Sequence, residues 1–225
     1  MDSNDDLLNN LPNDSKVAYQ AGHTLLSALA DLEEDLKHNY ENGTVQQMAL
    51  ARLAGLQGDL FSSFMILLWQ GPLIGRSVVL RSLIENQGNI LHVKGDDRRS
   101  EQYIKYADKI TTRVKDRVAG KATSKTNYKW TNSTVEQRVA LFPDDNVSNV
   151  YDTLSDYVHG NNAQDFLNTK ELTDAYIRAI NSYFVAVFID FMRELAIGLD
   201  IKDAKRRMIF KAIESAGRLK SNSAK

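Results

Sequence analysis

Cysteine is absent from the 225-residue chain. Disulfides, cysteine–zinc sites and thiol catalysis are thereby excluded, and the lack fits a reducing compartment. Proline occurs 3 times and glycine 12 times, so few positions interrupt a helix and long helices are permitted almost everywhere. Neither sign of charge is in excess: 28 Lys and Arg stand against 29 Asp and Glu, a formal net charge of -1. Whole-chain charge therefore selects no nucleic-acid, membrane or acidic partner, and any such argument must come from local charge. Long apolar runs are also missing. The most apolar stretch, Phe64 to Trp69, falls far short of the roughly 20 residues that a membrane-spanning helix needs. The opening residues, Met1-Asp2-Ser3-Asn4-Asp5-Asp6, are acidic, whereas a secretory signal opens with positive charge. The expectation is a cytoplasmic protein with no membrane partner.

What is present is helical periodicity. The composition, 43% hydrophobic and 25% charged, matches an ordinary globular chain long enough to bury a core. Residues 1–14 read as a loose acidic arm, 15–217 as a helical domain and 218–225 as a frayed tail. Asp14 or Ser15 caps a first helix to about Tyr40, with Ala18, Leu25, Leu29, Leu32 and Leu36 on its buried face. Thr44-Val45-Gln46-Gln47 has the form of a capping box and opens a second helix to about Gln70, with Leu53, Leu56 and Phe64 among its inner residues. Gly71-Pro72 breaks the chain. A third helix, Leu73 to Lys94, is apolar nearly all round. A fourth, Arg98 to Gly120, points Tyr103, Val114 and Val118 inward and shows a basic outer face. Ser133-Thr134-Val135-Glu136 reads as a second capping box before a short helix to Phe142. Further helices run from Asp145 to His159, from Lys170 to Ile197, and from Asp200 to Gly217. No strand run, repeat or linker composition appears. The fold class is all-α, a single-domain bundle of long helices, with the third, Asp145–His159 and Lys170–Ile197 helices central.

Two helices carry polar stripes. In the Asp145–His159 helix, Tyr151, Ser155 and His159 fall in one narrow line. In the third helix, Arg81, Glu85, Gly88 and His92 do the same at four-three-four spacing. If the stripes meet, Arg81, Glu85, Ser155 and His159 form one pocket. His159 would act as general acid or base, Arg81 would hold a phosphate, Glu85 would orient either, and Tyr151 and Ser155 would supply hydrogen bonds. Equally, Arg81 and Glu85 at i,i+4 could be a structural ion pair whose spare donors and acceptors are met by Ser155 and His159. Asp156 and His159 have the i,i+3 spacing of a di-iron ligand pair, but such sites need a second pair and two further carboxylates, so no metal and no cofactor are expected. The basic stretch from Arg98 to Lys129, with Trp130 beside it, suits either phosphate contact and base stacking or a solvated helix face with a tryptophan packed inward.

Arg81-Ser82-Leu83-Ile84-Glu85, then Trp130 before a short helix, then Tyr151-x-x-Leu154-Ser155-x-x-x-His159 together resemble a family of uncharacterised bacterial helical proteins in which an R-x-x-x-E helix precedes a Y-x-x-L-S-x-x-x-H helix. The likeness covers about Ala51 to Val187. That family is in turn similar in outline to the HEPN superfamily, helical bundles that include RNA-cleaving toxins and defence effectors. His159 matches the histidine of the HEPN signature. No arginine lies between Asp152 and Asp156, the nearest upstream is Arg138, and Arg81 replaces it only in space. The resemblance implies a catalytic place for His159 alone, and the pocket formed by the two polar stripes adds Arg81 and Glu85 as the other candidate catalytic residues. Tyr151, Ser155, Asn161, Lys125, Lys129 and Trp130 are the candidate substrate contacts, and RNA or a nucleotide is the expected ligand. A non-catalytic module that binds a protein partner or small ligand is the alternative, and a homodimer is expected in either case.

Overall fold

Thr44 caps a helix as its spacing predicts. Its hydroxyl accepts from Gln47 N at 3.3 Å, and Gln47 Oε1 accepts from Thr44 N at 2.7 Å. The computed structural model describes residues 11–121, 129–159 and 169–223. Among them are nine helices and no strand: α1 Asn13–Ala30, α2 Glu33–Asn42, α3 Val45–Gln70, α4 Leu73–Val93, α5 Asp97–Val118, α6 Val135–Val139, α7 Asn146–Val158, α8 Lys170–Gly198 and α9 Asp203–Ser223. The architecture is the expected all-α helical bundle.

The core is one cluster of buried side chains. At its centre α3 meets α8 through aromatic rings: Phe61 stacks on Phe188 with centroids 3.5 Å apart, and Phe64 stacks on Phe184 at 4.1 Å. Helix α4 packs against α3, α6, α7 and α8, the middle position its apolar character suggests. Its contact with α3 is not wholly apolar. Asn86 Nδ2 donates to Gln57 Oε1 at 2.7 Å and to Leu53 O at 3.1 Å, and Gln57 Nε2 donates to Leu83 O at 3.2 Å. Gln57 is fully buried while Leu56, expected inside, is exposed; the paired amides offset the desolvation that would otherwise drive Gln57 out. By length and composition α8 is the one helix among the described residues that could cross a membrane, and half of that apolar window is buried inside the bundle.

Several expected boundaries move. The first helix does not run unbroken to Tyr40: it stops at Ala30, and Leu32 N reaches Leu29 O at 3.0 Å in a tight turn. The break re-aims α2 so that Asn39, fully buried, clamps the turn after α8. Its Nδ2 donates to Asp200 O at 3.0 Å and its Oδ1 accepts from Asp200 N at 2.8 Å. Lys205 Nζ takes up the freed Asp31 carbonyl at 3.0 Å and pairs with Asp35. At the other end the helix expected to stop at Gly217 continues to Ser223, because Leu219 packs on the core and Arg218 pairs with Glu214 one turn back. The second capping box is shifted by one residue. Thr134, not Ser133, is the cap, with Gln137 as its reciprocal partner, and the helix ends at Val139 rather than Phe142. Val114 and Val118, expected to face inward, are exposed at the far end of α5. The acidic arm up to Asn10 lies outside the described residues.

Candidate functional site

Successive residues of the α4 stripe meet different partners, all supplied by the stretch from Lys129 to His159. At its N-terminal end Arg81 and Glu85 face α7. Tyr151, 4% exposed, donates its hydroxyl to Glu85 Oε1 at 2.8 Å and accepts from Arg81 Nη2 at 3.2 Å. The Arg81 guanidinium also lies over the Tyr151 ring, 5.4 Å from its centroid. Arg81 Nε is 3.3 Å from Glu85 Oε1, an ion pair without hydrogen-bond alignment, since that nitrogen has no aligned acceptor. The remaining arm of the fork, Nη1, is 3.2 Å from His159 Nε2. The result is a chain of polar groups, Glu85–Tyr151–Arg81–His159, buried at Tyr151 and exposed at the imidazole.

Proton positions follow from the donor inventory. A guanidinium only donates, so His159 Nε2 must present its lone pair to Arg81, which places the ring proton on Nδ1. The Tyr151 hydrogen bond, first, and then the Glu85 and Glu136 carboxylates raise the Arg81 pKa further, against the opposing cost of burial. Burial is the main cause that raises the Tyr151 phenol; its bond to Arg81 opposes this and Glu85 adds to it.

One turn further along α4, Gly88 touches the backbone of α6. A Cβ placed there would sit 3.1 Å from Arg138 O and 3.2 Å from Arg138 C. A side chain here would push the α6 backbone away by a few tenths of an ångström. Arg138, too far upstream of His159 in sequence to serve as the signature arginine, proves to be part of this site in space. It is only 9% exposed, donates Nη1 to Ser133 O at 2.5 Å, and lies over the Trp130 ring at 5.7 Å. Burial lowers its pKa, while the carboxylates of Glu85 and Glu136 and the Tyr151 hydroxyl pull it back up. The site therefore has two arginines, Arg81 and Arg138, sharing Glu85 and Glu136. A signal for Arg138 did exist, since Gly88 inside a polar stripe marks a close approach, but nothing in the sequence says what approaches.

At the far end of the stripe, His92 is buried and its Nε2 lies 3.0 Å from Thr131 Oγ1. Desolvation, then the nearby Arg99 and Arg138, hold its pKa below the ordinary 6.5. Trp130 stands edge-on to both His92 and Tyr103, with centroids 5.4 and 5.3 Å away. Its ring is thus enclosed by His92, Tyr103 and Arg138.

Of the predicted site residues, the fold brings together Arg81, Glu85, Tyr151 and His159. Ser155 lies on the same side of α7, but its buried hydroxyl has no hydrogen-bond partner among the described residues. Lys129 and Trp130 line a separate cleft against α5. Asn161 and Lys125 lie outside the described residues. Among the described residues, no three His, Asp or Glu side chains converge as metal ligands would. No protein-family model, no curated protein and no solved structure matches the chain.

Proposed function

We propose that the chain is a HEPN-like helical protein acting on RNA or a nucleotide through a metal-free site. His159 is the proton acceptor and Arg81 the phosphate holder. The observation that supports this is the contact between Arg81 Nη1 and His159 Nε2 at the exposed end of the polar chain. When Nη1 turns from His159 to a phosphodiester, the imidazole lone pair it leaves can take the proton of an attacking hydroxyl. Glu85 and Tyr151 fix the fork from behind, so that Nη1 is the donor left to turn toward substrate. The HEPN-like resemblance adds a toxin or defence role to the same proposal, and the broad amphipathic helix faces add a homodimer. A ribonuclease assay tests it. His159→Ala and Arg81→Ala are each expected to lose on the order of 100-fold in rate. No cleavage by the wild type, or equal cleavage by all three proteins, overturns it.

A second reading is a non-catalytic module that binds a protein or small ligand, with Arg81, Glu85 and His159 as structural groups. Two observations favour it. The Tyr151 hydroxyl is already engaged as both donor and acceptor. A mainly apolar cleft of about 240 Å³ also opens between α7 and α8, walled by Val150, Leu154, Tyr176, Ile180 and Tyr183. On this reading Glu85→Ala lowers the melting temperature sharply and there is no turnover to lose. An unchanged melting temperature counts against it.

A further inference from the structure

We propose that a basic trough between α5 and residues 129–133 binds the phosphate backbone of single-stranded RNA. The proposal deepens the reading above and rests on it for what happens to the bound strand.

Two clefts adjoin. One, of about 320 Å³, lies between Lys105, Tyr106 and Lys109 of α5 and the opposing Lys129 and Trp130. The other, of about 290 Å³, lies between Arg98 and Arg99 on one side and Ser133 on the other, with His92 and Asp96 at its end. Gln102, Thr131 and Asn132 line both, so the two are one trough. From Arg98 to Lys109 it follows α5 for about 16 Å at the helical rise.

The walls are one-sided in charge. Arg98, Arg99, Lys105, Lys109 and Lys129 face a single lining carboxylate, Asp96. Asp96 pairs with Arg99 at 3.1 Å, and Glu101, just outside, pairs with Lys105 at 3.1 Å. Asp108, next to Lys109 in sequence, is drawn instead to Arg52 of α3 at 2.5 Å. The lining thus gathers five cations, two of which, Arg99 and Lys105, pair with adjoining carboxylates, in a chain whose total charge is -1. A concentrated positive stripe on a near-neutral protein is the footprint expected for a polyanion. The Gln102 and Asn132 amides and the Tyr106 ring in the lining suit sugar and base edges. Trp130 forms a fixed wall here, because its ring is already enclosed by Arg138, His92 and Tyr103.

The trough and the candidate site share helix α4. His92 ends the trough, and His92 and Arg81 lie on one face of α4, about 16 Å apart along the helix, with α6 between them. A lone phosphate or mononucleotide fills only part of the trough, whereas a single strand occupies its whole length.

Fluorescence anisotropy with labelled oligouridylate tests this. Log affinity is expected to fall linearly with log salt, with a slope near -2 if about three phosphates are neutralised. Lys105→Gln/Lys109→Gln/Lys129→Gln is expected to weaken binding by about tenfold or more, with the helical circular dichroism unchanged. Arg98→Gln/Lys129→Gln, which spares the middle of α5, should weaken it in the same direction. No binding by the wild type overturns the proposal. So does wild-type affinity in both variants, or equal affinity for poly-glutamate, which would make the trough an acidic-peptide site. Binding that the variants lose, without cleavage by any protein, upholds the trough and removes the catalytic reading. Cleavage with undiminished affinity in the variants does the reverse.

Discussion

Arg81 Nη1 and His159 Nε2, from residues 78 positions apart in the chain, stand 3.2 Å from each other and join α4 to the end of α7. Because arginine has no lone pair to offer, it is the donor in this contact and the imidazole nitrogen the acceptor. The same arginine is held from behind by Tyr151, so the orientation of the exposed imidazole depends on a buried phenol.

That dependence can be measured. Tyr151→Phe keeps the ring under the guanidinium but removes the donor to Glu85 and the acceptor for Arg81. A loss of about 1–3 kcal/mol is expected, a drop of several degrees in melting temperature for a chain of this size. If the midpoint of urea unfolding does not move, the hydroxyl is not part of a net stabilising network.

Acid should act through His92. Its pKa is lowered in the folded state from the ordinary 6.5, chiefly by burial. The unfolded chain therefore binds the proton more readily, so stability falls as pH drops through 6.5 toward the lower native value, and recovers above it. His92→Gln keeps a hydrogen-bonding group opposite Thr131 without a titrating proton. Its melting temperature between pH 7.5 and 5.5 should depend less on pH than that of the wild type, and parallel curves would assign the acid sensitivity elsewhere.

Gly88→Ala sets two effects against each other. Alanine gains about 1 kcal/mol of helix propensity over glycine in a helix interior. Its Cβ would meet the Arg138 backbone at 3.1–3.2 Å, and α6 is held in place by its capping box and by the Arg138–Ser133 bond. The contact should win. A lower melting temperature is expected, and a higher one would show that α6 gives way freely.

Much of this fold was legible in the sequence because helices announce their ends locally. The Thr44–Gln47 box and the Gly71-Pro72 break are written within a few residues, and α3 begins and ends, and α4 begins, where those signals place them. The break at Asp31 is different. It follows from Asn39 reaching Asp200 and Lys205 reaching the Asp31 carbonyl, contacts across more than 160 residues that no periodicity encodes. Leu56 and Gln57 exchange their expected faces for the same reason, since Gln57 is held inside by α4. The two polar stripes were visible as stripes. Periodicity gives the side of a helix on which a residue sits, not which sides meet, and so Arg138 was read only by its distance along the chain although Gly88 marked its place.

The contact between α1 and α9 has a consequence for how the chain reaches this state. These two helices pack closely although one begins at Asn13 and the other at Asp203. Most helical bundles fold fast because neighbours in sequence are neighbours in space. Here the apolar flank of an early-synthesised helix must wait for a late one to cover it. During translation that flank is a natural hold for a chaperone, and trimming α9 should leave a chain that gathers into aggregates rather than a smaller version of the same bundle.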